Sequence, residues 1–312
     1  MDTRSVVLVD AFAAEPTGGA PVAVCPDGTD LTDSQLRAVA RELAAPATAM
    51  PTDGVPDRLR AVGPRGRVDP GAVAVGALGA GLDRGWIETG TYALTVAGDA
   101  SGGGEQDPTE VTVAEDGCVW VALDEPNPQS AGPDLEDVAG ALGVPVAALR
   151  DVGADLPPVR LSADVDTLAV PVNFLEHLGT ASPDPGALAD LTATADVGAV
   201  CAFTFDTLSA AATCHARTVA PGWTPDTPGP WTRTVGVEAP VTPAVWAGIA
   251  VHLTREGVVE DDQPLVEGGH YLDRPARVRV DPVGIRVGGR AVTTLDGTVT
   301  VPPSEDDEIL EL

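Results

Sequence analysis

The chain has 312 residues, 44% of them hydrophobic, and carries 47 acidic against 18 basic side chains for a formal net charge of −29. This composition excludes wholesale disorder, and no run approaches the ~20 apolar residues of a membrane span. Every basic residue is arginine, and the carboxylates are spread along the whole chain, so there is no basic stripe to neutralise the phosphates of a nucleic acid.

A diffuse carboxylate surface without lysine suits molar salt, where the Debye length is about 3 Å and self-repulsion is screened. The sequence therefore reads as a halophile's. The first residues, "MDTRSVVLVDAF", enter a strand-like run without a basic n-region or small-residue cleavage site. That predicts a cytoplasmic protein.

In chain order, "SVVLVDAF" reads as a buried strand, "EPTGGAP" as a turn and "VAVCP" as a second strand. "LTDSQLRAVARELAA" reads as a helix, with capping groups between Asp30 and Asp33, apolar residues at Leu36, Val39, Ala40 and Leu43, and Pro46 as its end. The stretch that follows, "PATAM", reads as a quiet loop. "DRLRAVGP" is a candidate strand. "DPGAVAVGALGAGLD" has no polar face and predicts a buried helix over Gly71–Leu82, with Asp69 as cap and Pro70 in its first turn. Three strands in hairpin spacing come next, with "ASGGGEQDP" as a flexible loop between the first two.

"NPQSAGPD", rich in Pro, Gly and Ser, forms most of an interdomain linker read over residues 125–134. The pattern then repeats. A helix at "LEDVAGALGV" is followed by strand-rich "VRLSADVDTLAVPV" and "VGAVCAFTF", which bracket a helix near "PGALADLTA". "ATCHARTVAP" is another strand. A second apolar helix is predicted over Pro243–Arg255, and strands at "ARVRVD", "GIRVGG" and "TVTV" precede an acidic tail. The predicted architecture is α+β: two similar domains, 1–124 and 135–303, each a curled sheet or barrel around one apolar helix, with tail 304–312 and a cleft between the domains as the natural site. Cys25, Cys118, Cys201 and Cys214 form no C-x-x-C pair, and the four histidines are equally scattered. Buried free thiols are the simplest account, and no metal site is predicted.

The pieces "VDAFAAEPTGGAPVAV", "AVARELAAPATAM", "VDPGAVAVGALGA", "HARTVAP", "VEAPVTPAVWAGIAVHL" and "VEGGHYLDRPARVRV" stand in the order and spacing of a known family. Over about residues 5 to 280 the chain resembles the phenazine-biosynthesis PhzF-like family of the diaminopimelate-epimerase-like fold. The resemblance implies an isomerase or epimerase working without metal or organic cofactor. It implies a glutamate that shuttles a proton on a small carboxylate-bearing substrate, held at helix N-termini. A homodimer is plausible on the same ground.

At the functional positions the sequence departs from the family. The G-N-P turn is Gly19-Ala20-Pro21, and S-E-T, which carries the catalytic glutamate, is Pro46-Ala47-Thr48. C-G-H is Gly71-Ala72-Val73, and E-D-P-A-T-G-S-A is Glu238-Ala239-Pro240-Val241-Thr242-Pro243-Ala244-Val245. Fold-bearing positions persist, among them Asp10, Phe12, Pro21, Arg217, Pro221, Arg274 and Pro275. A placed proton donor gives ~10²- to 10⁴-fold, and here Ala47 stands where it belongs. Glu238 and Glu42 are the weak catalytic candidates. Thr48, Gly71, Thr242 and Arg217 are the substrate-binding candidates. Glu42 reads first as a solvated acid at a helix end, Glu238 as a structural hydrogen-bonder, Arg217 as half of an ion pair and Thr242 as an N-cap. Two functions follow: a family-type isomerase using other groups on a small anionic metabolite, or a non-catalytic paralogue, either a binding protein or the silent subunit of a pair with an active relative.

Overall fold

The structure, a computed structural model, describes residues 2–51, 56–64, 68–98, 107–130, 132–152, 156–163, 165–221 and 238–304. Most of the glycine-rich loop and of the acidic tail read from the sequence lies outside them. The chain forms two compact units, Met1–Ala122 with Gly288–Leu312, and Leu123–Val287. Elements are labelled in chain order.

Unit 1 opens with β1 (Asp2–Ala11), β2 (Ala20–Pro26), α1 (Asp33–Glu42), β3 (Ala47–Met50) and β4 (Arg58–Val62). It continues with α2 (Pro70–Asp83), β5 (Gly90–Gly98), β6 (Thr109–Val113) and β7 (Val119–Ala122). Its last strand, β17 (Ala291–Val301), arrives from the far end of the chain and pairs antiparallel with β1, from Asp2 opposite Val301 to Ala11 opposite Ala291. The ladder then runs from β1 to β2 antiparallel, β2 to β3 parallel, β3 to β4 antiparallel, β4 to β5 parallel, and on antiparallel through β6 to β7. This sheet curls around α2, which touches β1, β2, β3, β5, β6, β7 and β17.

The sequence reading of α2 holds. Asp69 Oδ1 accepts from the Ala72 N–H at 2.7 Å, Pro70 takes the first turn, and the residues from Gly71 to Leu78 are buried. At α1 the cap is Thr32, which forms a capping box with Gln35. Two readings change. "PATAM" is not a loop: Ala47–Met50 is a fully buried strand, with Ala44 at φ 51° turning the chain into it. Residues 288–303, placed with the second domain by sequence order, belong to unit 1 because β17 completes the ladder at β1.

Unit 2 holds β8 (Gln129–Ser130), α3 (Leu135–Leu142), α4 (Ala147–Arg150), β9 (Val159–Leu161) and β10 (Thr167–Pro171). After them come α5 (Leu175–Thr180), α6 (Pro185–Ala195), β11 (Ala199–Thr204), β12 (Cys214–Val219) and β13 (Glu238–Ala239). α7 (Pro243–Arg255), β14 (Leu265–Gly268) and β15 (Ala276–Asp281) complete it, and β16 (Arg286–Gly289) carries the chain back to unit 1. β8, β9 and β10 pair antiparallel, β10 and β11 parallel, and β11 and β12 antiparallel. β12 takes β13 antiparallel and β14 parallel, and β14 pairs with β15. α7 packs against β9, β14 and β15 with Trp246 fully buried. An aliphatic cluster under α3 and α6, built on Val138, Leu142, Leu168, Val200 and Leu188, fills the other face. Among the described residues no helix is long and apolar enough to cross a membrane.

Gly268 on β14 marks how closely α7 approaches its sheet. A Cβ there would lie 2.4 Å from the Ala216 carbonyl oxygen and 2.5 Å from Trp246 Cη2. Gly268→Ala therefore overpacks unit 2 and is expected to cost about 1–3 kcal/mol, read as a lower denaturant midpoint. Gly140→Ala, where an added Cβ meets nothing within 4 Å, serves as the paired control and should gain about 0.5–1 kcal/mol.

Candidate functional site

In unit 1 the positions of interest lie on β3 and at the start of α2. Strand alternation sends β3 side chains to two faces. Ala47 and Ala49 join Ala23, Cys25, Leu36, Val39, Ala40 and Val62 in the apolar core beneath α1. Thr48 and Met50 face α2, where Met50 lies against Gly81, and Val22 of β2, on the same side, lies against Gly76. Ala47 is 0% exposed, and its methyl is packed among aliphatic groups. Thr48 is also 0% exposed, and its Oγ1 has no hydrogen-bond partner. Glu42, the last residue of α1, is exposed, so it stays in water while Ala47 is sealed from it. Gly71 is buried in the first turn of α2, beside the Asp69 cap.

In unit 2 the remaining candidates are taken up by protein partners. Arg217 and Glu238 form a bidentate pair, Nε to Oε1 at 3.0 Å and Nη2 to Oε2 at 2.7 Å, with side chains 5% and 1% exposed. Arg217 Nη1 donates to the Leu178 carbonyl, and its Cζ lies 4.7 Å from the centroid of the Tyr271 ring. Thr242 stands at the N-cap position of α7 but does not cap it. Its Oγ1 lies 2.7 Å from Thr218 Oγ1, which accepts from Trp246 Nε1 at 3.1 Å and donates to Cys201 Sγ at 3.2 Å. With that hydrogen given to sulfur, Thr242 is the donor between the two threonines. Burial raises the Cys201 thiol to about 12, so it stays protonated.

One cluster was not foreseen from sequence. β12 alternates Cys214, Ala216 and Thr218 on one face with His215 and Arg217 on the other. His215 faces Glu267 of β14, Nδ1 to Oε1 at 3.3 Å, with side chains 0% and 1% exposed. Glu267 Oε1 also accepts from the Leu208 N–H at 2.6 Å, and Oε2 from the Ser209 N–H at 3.2 Å. Burial pushes the Glu267 carboxyl upward, but the hydrogen bonds from His215 and Leu208 and the neighbouring imidazoles outweigh it and hold it below the ordinary value. The His270 and Tyr271 rings lie 5.1 and 5.6 Å from that of His215, whose Nε2 is buried without a partner. A carboxylate that fixes an imidazole resembles an acid–base device. Thr218, three residues along the same strand, takes the face that meets Trp246 of α7, so this dyad lies on the sheet face away from α7. The signal was available in principle as two strands, β12 with His215 and Arg217 on one face and β14 with Glu267.

Glu238→Gln should cost about 3–5 kcal/mol, because it leaves a buried guanidinium uncompensated. Replacing both partners by aliphatic residues should recover much of that loss in denaturant titrations. For Glu267 the folded carboxyl titrates below its unfolded value. Its stabilisation is complete above the unfolded glutamate pKa of about 4.3 and is lost as the pH falls through the folded value. Glu267→Gln should therefore flatten the acid limb of a stability–pH curve, and an unchanged limb would remove Glu267 from this role.

The sequence matches the PhzC-PhzF family, described as phenazine biosynthesis-like protein, over residues 9–297. It is 24% identical over 305 residues to the uncharacterized isomerase YfhB of Bacillus subtilis, covering 96% of each chain. An uncharacterized isomerase of Mesorhizobium japonicum is 26% identical and is covered over its full length by 96% of this chain. Among solved structures, a PhzF-family phenazine biosynthesis protein of Bacillus anthracis superposes with a TM-score of 0.76 at 22% identity, covering 96% of this chain and 100% of that one. A PhzF-family protein of Enterococcus faecalis gives 0.69 at 18% identity over 96% and 100%. The architecture is that of the diaminopimelate-epimerase-like fold, and the chain belongs to the PhzC-PhzF phenazine biosynthesis-like family.

Proposed function

We propose that this chain is a PhzF-like scaffold of the isomerase and epimerase kind that has lost the family's proton-transfer group and serves as a non-catalytic paralogue. In that role it would bind a small metabolite or sit as the silent partner of an active relative. The observation that carries the reading is Ala47. At the position where the resemblance puts the working glutamate, a methyl is packed beneath α1 at 0% exposure. Three further facts support it. Glu238 is locked to Arg217, the Thr242 hydroxyl is given to Thr218, and the first turn of α2 has Val73 where the family keeps histidine. The groups that would orient substrate and move its proton are replaced together or bonded within the fold. The lysine-free acidic surface supports a working environment of high salt.

The test is deuterium uptake from solvent into a panel of small carboxylates and enol acids in molar KCl. The expected result is no uptake above buffer. Protein-dependent uptake that saturates with substrate would overturn the proposal. Ala47→Glu, which returns a carboxylate to the position, is expected to gain no exchange activity. It should lower the melting temperature instead, because the new charge enters the apolar core beneath α1.

A further inference from the structure

Unit 2 contains a cavity of about 240 Å³ against one flank of α7. At about 30 Å³ per water this is room on the order of eight waters. Ala247, Gly248 and Val251 share one face of the helix and line the cavity, with Pro126 beside Gly248, and the exposed Asp124 and the half-buried Arg286 also belong to the lining. Two of the charged groups around it are already neutralised. Arg286 donates from Nε and Nη2 to Asp281 Oδ2 at 3.1 and 2.5 Å, and Glu125 is paired with Arg255 at 2.9 Å. Asp124 is different: among the described residues it makes no hydrogen bond and no ion pair.

We propose that this cavity binds a small organic cation of the primary-amine type, with its ammonium on Asp124 and a short hydrocarbon body along Gly248 and Val251. The cavity combines an apolar wall with a single uncompensated carboxylate, and that combination selects a charged head on an apolar tail. An anion has nothing to gain there, since Arg286 is held by Asp281 and Asp124 repels it. In molar salt the Debye length is about 3 Å, so the attraction operates only in direct contact, and the ammonium must touch the carboxylate. The site is independent of whether proton transfer survives elsewhere in the molecule.

Gly248 gives a probe that leaves charge unchanged. A Cβ built there lies 3.7 Å from both Leu161 Cδ1 and Pro126 Cβ, which is ordinary contact. Gly248→Ala therefore narrows the cavity without a clash and removes a helix-interior glycine. The experiment is titration of the full chain with n-pentylamine, 1-pentanol and pentanoate at pH 7 in molar KCl, followed by calorimetry or ligand NMR, with melting temperature as the check on folding. Pentylamine should bind saturably and at least tenfold more tightly than either analogue. Asp124→Asn should weaken it at least tenfold. Gly248→Ala should weaken it while the melting temperature holds or rises. Asp137→Asn, an exposed acid on α3, should leave it unchanged. Absent or unsaturable amine binding, equal binding of pentanoate, or binding indifferent to both Asp124→Asn and Gly248→Ala would overturn the proposal.

Discussion

A helix that is apolar on every side must be covered on every side, and much of unit 1 follows from that constraint. From Gly71 to Leu78 α2 shows water almost nothing. Covering it takes strands from both ends of the chain, because neither segment alone closes the sheet. The small side chains of the helix let the strands come close: Val22 and Met50 rest directly on glycine positions. The same rule shapes unit 2, where Trp246 fills the space against β14 that Gly268 leaves open. Packing of this kind favours residues that are small and apolar. Ala47 and Ala72 are of that type and both are buried.

Among the described residues, most polar groups that stay inside have protein partners. The Arg217–Glu238 pair, the Thr242–Thr218–Cys201 chain and the His215–Glu267 pair each give a buried polar group a protein partner. In a low-dielectric interior an unpaired group is expensive, so these networks are closed nearly to completion. The exceptions are single atoms, Thr48 Oγ1 and His215 Nε2 among them. An enzyme site keeps several such atoms convergent and unsatisfied until substrate arrives. Within each unit taken singly, the candidate residues here are mostly spent on one another or sealed from water.

Much of this was legible in the sequence where the signal is local. The all-apolar helices, the Asp69 cap with Pro70 after it and the two-unit α+β plan follow from composition and spacing within about fifteen residues. The misses are non-local. Ala47–Met50 has only four residues, two alanines, one β-branched threonine and one methionine, and it is buried by a helix on each face, so no alternation announces a strand. Thr242 has the right residue type for a cap, but Thr218, 24 residues earlier, competes for its hydroxyl. His215 and Glu267 are 52 residues apart and meet only because β12 and β14 run side by side. Family resemblance reached further along the chain, since it took in segments that no periodicity marks and the family match spans residues 9–297.

The closure of unit 1 also has a temporal side. Asp2 pairs with Val301, so β1, which finds β2 at once, can meet β17 only after the long segment between them has been made. On a ribosome adding roughly 5–20 residues per second, β1 and the apolar α2 emerge many seconds before β17 can cover them. Leu123–Val287, which is continuous in sequence, can fold in the interval. Its compactness brings the chain back toward the waiting strand and shortens an otherwise long loop closure. Unit 2 is thus an insertion between the two parts of unit 1, and the order of synthesis makes it the natural first body to fold.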